Sequence, residues 1–154
     1  MDALRSLLVA GFVILLLAFS GCTLMTGPSA SHQQSAINST PVEKVEVFHF
    51  SGNHQCASCI AVGDLAERTV NASFGTELAS GRLVFAHVNY DLPENAALAM
   101  KYNVTGSSLW IGVYDANGFH REQDIRVWSL ISDEEAYSSY LTELISKRLN
   151  GDLS

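Results

Sequence analysis

The residues of this sequence best suited to chemistry are two cysteines, in Cys56-Ala57-Ser58-Cys59. They follow an apolar run at residues 45–50 and three turn-forming residues, Ser51, Gly52 and Asn53. The apolar run reads as a buried strand, and the residues after Cys56 read as a helix. A strand that delivers C-x-x-C to the start of a helix is a more specific signal than C-x-x-C alone. The helix N-terminus carries unpaired N–H groups and partial positive charge, and both favour a thiolate over a thiol. The thiolate is the attacking species in thiol–disulfide exchange. With two intervening residues in one helical turn, Cys59 can reach Cys56 and resolve a mixed disulfide.

The same cysteines admit other chemistry. They could form a staple with no catalytic role. A zinc finger would need a second pair of ligands at short spacing, and none is present. Ile60 follows the motif, so it is not the C-x-x-C-H of haem attachment. Copper or zinc held by Cys56, Cys59 and His54 remains the alternative, because thiolates and an imidazole suit copper(I) and zinc. His54 otherwise reads as a solvated loop residue. His49 lies in the preceding strand and faces whichever side Val47 faces. The chain has no flavin or nicotinamide fingerprint, so a redox-active disulfide would work without a cofactor and draw its electrons from another protein.

The elements that must hold this pair can be read in order. Residues 42–50 open with a strand. Residues 57–78 form a helix with Ile60, Ala61, Leu65, Ala66, Val70 and Phe74 on its apolar stripe. A second buried strand covers 83–88, and Pro93 starts a short helix over 94–102. A third strand covers 109–114. Asp115-Ala116-Asn117-Gly118 is a hairpin turn that leads to an edge strand at 119–125. Ser132-Asp133-Glu134-Glu135 reads as a capping box for a last helix ending near Leu149, with Tyr137, Tyr140, Leu141, Leu144 and Ile145 inward. This order predicts an α/β domain over residues 42–150, with a central mixed sheet of about four strands flanked by helices in three layers. The first two connections are expected to be right-handed crossovers.

These residues resemble the thioredoxin superfamily. Beyond the cysteines, the likeness rests on Ala86-His87-Val88-Asn89-Tyr90-Asp91 as the second core strand, 94–101 as the following helix, and Tyr102-Asn103-Val104-Thr105-Gly106-Ser107-Ser108-Leu109 as the segment facing the cysteines. It spans residues 42–149. The resemblance is greatest to small membrane-anchored thioredoxin-like proteins, some described as arsenical-resistance or nitroreductase subunits. It implies a thioredoxin-like fold, Cys56 and Cys59 as the catalytic pair, and His54, Gln55, Ala57, Ser58, His87, Ser107 and Ser108 as active-site neighbours. Departures are visible too. Ser108 stands where the family carries a cis-proline, so the preceding peptide is expected to be trans and the Ser108 hydroxyl is a candidate donor to a sulfur. Gln55 replaces a tryptophan. Phe50 takes the place of a buried acid, and His87 that of a lysine.

The N-terminus reads as an address. After Arg5, residues 7–19 are an unbroken apolar run, the length of a signal-peptide core and short for a membrane span. Ser20-Gly21-Cys22 then resembles a lipobox, which makes residues 1–21 a lipoprotein-type signal peptide and Cys22 the lipidated residue. Residues 22–41, rich in Ser, Thr, Gln and Ala, read as a flexible tether. The domain is thereby expected at the extracytoplasmic face of the cell membrane, held by lipid or an N-terminal anchor. Its expected partners are protein thiols or disulfides and a membrane or exported electron donor, with the domain itself a monomer. The net charge is −7, and Asp2 and Arg5 cancel, so it is also −7 without residues 1–21. An acidic chain with sparse basic residues argues against nucleic-acid binding.

Overall fold

The computed structural model describes residues 41–154. The expected signal peptide, Cys22 and all of the tether except Pro41 lie outside the described residues.

The first strand, β1 (Val42–Ser51), is the centre of the sheet. Its side chains alternate, with Val45, Val47 and His49 on one face and Glu46, Phe48 and Phe50 on the other. Two helices follow: α1 (Ala57–Ser73) and α2 (Gly75–Ser80). The sequence predicts a single helix here. The chain breaks it at Phe74, whose φ of −128° and ψ of 34° leave the helical range as its ring turns into the core. Next come β2 (Leu83–Asn89), a turn of 3₁₀ helix at Pro93–Asn95, and α3 (Ala96–Tyr102). The hairpin β3 (Ser108–Asp115) and β4 (Gly118–Asp124) precedes α4 (Glu134–Leu149).

The strand order is β2-β1-β3-β4. β1 pairs in parallel with β2 and antiparallel with β3, and β3 pairs antiparallel with β4. Only the first connection therefore joins parallel neighbours. The second passes from β2 to the far side of β1 and returns antiparallel, so it is no parallel crossover. The sheet is mixed and four-stranded, as expected.

The helices cover both faces. On one, α1 and α4 pack Val62, Leu65, Ala66, Val70, Tyr137, Leu141 and Ile145 over the aliphatic side of the sheet. On the other, α3 places Tyr102 and Leu98 among Phe48, Phe50 and Trp110. The buried stripe of α1 is Val62, Leu65, Ala66, Thr69 and Val70, a clean i, i+3, i+4, i+7, i+8 series. Of the expected stripe, Leu65, Ala66, Val70 and Phe74 are buried, Ala61 is half-buried, and Ile60 is exposed. In α4, Tyr137, Leu141 and Ile145 are buried as expected, while Tyr140 and Leu144 are half-buried. Its N-cap is Asp133 rather than Ser132, with the Asp133 carboxylate accepting from Ala136 N–H at 3.0 Å.

Candidate active site

Cys56 is the N-cap of α1, with extended backbone, and Cys59 sits three residues into the helix. The Cys56 sulfur accepts a hydrogen bond from the Cys59 N–H at 3.1 Å. Cys56 thus fills the capping role that a serine or aspartate side chain usually takes, and it satisfies one of the helix's orphan donors. The first turn of α1 contains no acidic side chain to oppose the partial positive charge there. The same donor and the same field favour the Cys56 thiolate once the pair is reduced. In this structure the two cysteines are disulfide-bonded, with Cα atoms 5.0 Å apart. Cys56 is exposed and Cys59 half-buried.

The loop before Cys56 is pinned by side chains that the sequence reading passed over. Asn53 N–H donates to the Asp91 carboxylate at 2.8 Å, and the Asn89 amide donates to the Asn53 side-chain oxygen at 2.8 Å. Asp91 N–H returns to Asn89 at 3.0 Å. Together with Tyr90 N–H donating to the Ser51 carbonyl at 2.9 Å, this ties the loop before Cys56 to the turn after β2. The available signal was Asn89 and Asp91 flanking Tyr90 just past a strand end, the residue types that bond neighbouring backbone.

The other predicted residues divide into groups. His54, Gln55, Ala57 and Ser58 surround the pair and are exposed. Ser107 is half-buried in the loop before β3. Ser108 is buried at the start of β3, paired in register with Phe50, at the sheet end that leads to the cysteines. The peptide bond before it is trans, as expected. Its hydroxyl donates to the Gly106 carbonyl at 2.8 Å and accepts from the Trp110 indole N–H at 3.0 Å. A hydroxyl has one proton, and Ser108 spends it on Gly106, so it has none for a sulfur.

His49 and His87 are the larger correction. Phe50, read as the residue beneath the motif, points to the α3 side, 5.4 Å ring to ring from Tyr102. His49 faces α1 instead. Strand alternation puts His49, not Phe50, on the face that α1 covers. His49 is paired in register with His87, and their Nδ1 atoms are 3.0 Å apart. His87 Nε2 lies 3.3 Å from a Glu67 carboxylate oxygen. A Cβ at Gly63 would overlap the His49 ring, so only glycine lets α1 lie this close to β1. Burial, followed by the charge of His87, pushes His49 down to about 4, against smaller opposing effects from the Cys59 main chain and Asp64.

Among the described residues, no group of three or more His, Cys, Asp or Glu is placed to hold a metal ion. The alternative set of Cys56, Cys59 and His54 is not gathered into such a group.

No family model and no curated protein matches the chain. Solved structures do. A thioredoxin from Thermus thermophilus is 20% identical with a TM-score of 0.44, over 68% of this chain and 75% of that one. The first two thioredoxin domains of Naumovozyma dairenensis Eps1p are 21% identical with a TM-score of 0.45, over 75% of this chain and 40% of that one. A malarial protein is 20% identical with a TM-score of 0.43, over 69% of this chain and 98% of that one. The strand order β2-β1-β3-β4 and the disulfide at the N-terminus of α1 stand on their own geometry.

The fold is thioredoxin-like.

Cys56 and Cys59 form a disulfide at the N-terminus of α1, and a disulfide can exchange with a protein thiol without an added cofactor.

Proposed function

We propose that the chain is a membrane-tethered, extracytoplasmic thiol–disulfide oxidoreductase. Cys56 attacks a partner disulfide, or passes on its own, and Cys59 resolves the mixed disulfide. The observation that carries this reading is the asymmetry of the pair: Cys56 is exposed and caps the helix, while Cys59 is half-buried within its first turn. An entering thiol or disulfide meets Cys56 first. The apolar run at 7–19 followed by Ser20-Gly21-Cys22 supports attachment to the outer face of the cell membrane, with electrons supplied by a membrane or exported donor. Among the described residues no helix is long and apolar enough to cross a membrane. The partners are protein thiols and disulfides.

Reduction of insulin disulfides, driven by a small dithiol, tests the chemistry. The wild type should accelerate it, and Cys56→Ser should abolish the acceleration. No acceleration by the wild type would reject the reading. Cell fractionation tests the address. Cys22→Ala should move the protein from the membrane to the soluble or secreted fraction, and retention on the membrane would reject the lipid anchor.

A further inference from the structure

The two edges of the sheet are built differently. The edge strand β4 carries Arg121, Glu122 and Asp124. Charged side chains are a usual guard against pairing with another chain. The opposite edge strand, β2, reads Leu-Val-Phe-Ala-His-Val-Asn and holds no carboxylate, lysine, arginine or proline. It pairs with β1 in unbroken register over residues 83–89, and among the described residues no strand lies on its other side.

The direction of its free backbone groups follows from the ends of the ladder. The Arg82 carbonyl accepts from Val45 N–H at 2.8 Å, and Tyr90 N–H donates to the Ser51 carbonyl at 2.9 Å. In an extended strand the N–H and C=O of one residue point to the same side, and the side alternates residue by residue. The even-numbered residues therefore face β1, and Leu83, Phe85, His87 and Asn89 direct their backbone groups outward. The Asn89 carbonyl is met by Leu92 N–H at 3.3 Å and by the Asn95 amide at 2.8 Å. In mid-strand, the outward groups of Phe85 and His87 have no partner among the described residues. Val84, Phe85 and Ala86 are half-buried and His87 is exposed, so this edge is open to approach.

We propose that β2 pairs antiparallel with β2 of a second copy of this chain, about a two-fold axis at Ala86, and joins two sheets into one. Such an interface is isologous: the same strand serves both sides. With Ala86 opposite Ala86 of the second copy, Phe85 exchanges both backbone hydrogen bonds with His87 of the second copy, and the Leu83 carbonyl accepts from its Asn89 N–H. Charge at the strand ends selects this occupant. Arg82 and Asp91 are both exposed and stand just outside β2 at opposite ends. Antiparallel self-pairing sets the Arg82 end of each copy beside the Asp91 end of the other, whereas parallel pairing would set like beside like. Between those ends the strand brings no charge to repel its copy, although the chain carries −7. The side chains also match. Val84 opposes Val88 and Phe85 opposes His87, cross-strand pairs of the kind that stabilise antiparallel strands. The contact is one strand wide, and interfaces this small give weak, concentration-dependent association. The dimer replaces the expected monomer. It uses neither cysteine, so it stands apart from the oxidoreductase reading.

The full chain in mild detergent, with Cys56→Ser and Cys59→Ser to silence exchange, carries the test. Adding Ala86→Cys should give an interchain disulfide under mild oxidation, because opposed residues of a non-hydrogen-bonded antiparallel pair have Cα atoms about 4.5 Å apart, within disulfide reach. Val84→Cys should cross-link roughly tenfold more slowly or less, because the two copies of that residue would lie about 13 Å apart along the strands. The same chain without an added cysteine reports any background from Cys22. Sedimentation equilibrium of the wild type should show a monomer–dimer equilibrium. Ala86→Lys sets two positive charges on the axis and should raise the dissociation constant roughly tenfold or more. The conservative Ala86→Cys keeps the test decisive if Ala86→Lys fails to fold. A wild type that stays monomeric up to about 1 mM would overturn the proposal. So would equal cross-linking at residues 84 and 86, or no cross-linking at 86. A dimer that Ala86→Lys leaves unchanged would also overturn it and would place the contact outside β2.

Discussion

The two faces of the sheet each bury one ionisable side chain from β1, and they treat it in opposite ways. On the α3 face, Glu46 accepts from the Tyr102 and Tyr114 hydroxyls, each at 2.8 Å, and from Lys44 at 2.7 Å. Burial acts to raise its pKa, but the hydrogen bonds from Lys44, Tyr102 and Tyr114 outweigh it and hold Glu46 below the usual carboxylate value. On the α1 and α4 face, His49 has one nitrogen paired and the other bare. Each face also places a glycine against its polar aromatic group: a Cβ at Gly112 would overlap the Tyr102 hydroxyl, and one at Gly63 would overlap His49. The satisfied group belongs to the architecture, because every donor around it is accounted for. The unsatisfied one lies against α1, beside Gly63 and the main chain of Cys59, where its second nitrogen is left unpaired.

If this contrast is right, the two faces should respond differently to pH and to substitution. The largest effect expected is the pH dependence of stability set by His49. Its folded pKa of about 4 lies below the ordinary 6.5, so between these values the unfolded chain binds a proton that the folded chain refuses. This contribution is complete above pH 6.5 and lost as pH falls toward 4, on the order of 3 kcal/mol. Urea unfolding across that window should show the loss, and His49→Leu should flatten it. An unchanged slope in the variant would assign the pH dependence to other groups.

Gly63→Ala comes next, with about 2–3 kcal/mol of destabilisation from the overlap with His49. Pairing it with His49→Ala should restore much of the loss, and strictly additive effects in the double-mutant cycle would break the claimed contact. Glu46→Ala should cost about 2 kcal/mol by stranding the Tyr102 and Tyr114 hydroxyls, and it should leave the rate of thiol exchange unchanged. A slowed exchange reaction would erase the distinction between the faces. The smallest effect belongs to the exposed Arg68–Glu134 pair at 3.1 Å between α1 and α4, where Arg68→Ala should change thermal stability by less than about 0.5 kcal/mol.

Much of this was legible beforehand, for physical reasons. The β1 apolar run, the Asp115 to Gly118 turn and C-x-x-C before a helix are local signals, and each element they predict is present. What stayed hidden depends on partners distant in sequence. Val47 and His49 share a face by strand alternation, but only the register with β2 and the path of α1 say which face lies beneath the cysteines. Most of the expected α1 stripe is buried, but Ile60 is apolar yet exposed beside Cys59. Ser108 looked available because its type permits donation, whereas the Gly106 carbonyl and the Trp110 indole already engage it. The helix break at Phe74 and the cap at Asp133 are one-residue choices that packing makes among several acceptable side chains.

The central claim is that Cys56 attacks and Cys59 resolves. Mixing each single-cysteine variant with a disulfide-bearing protein and trapping the products at low pH measures it directly. Cys59→Ser retains the exposed N-cap thiol and should accumulate a mixed disulfide with the partner, because nothing closes the pair. Cys56→Ser retains only the half-buried thiol and should trap little or none. Equal trapping by both variants, or greater trapping by Cys56→Ser, would contradict the assigned roles.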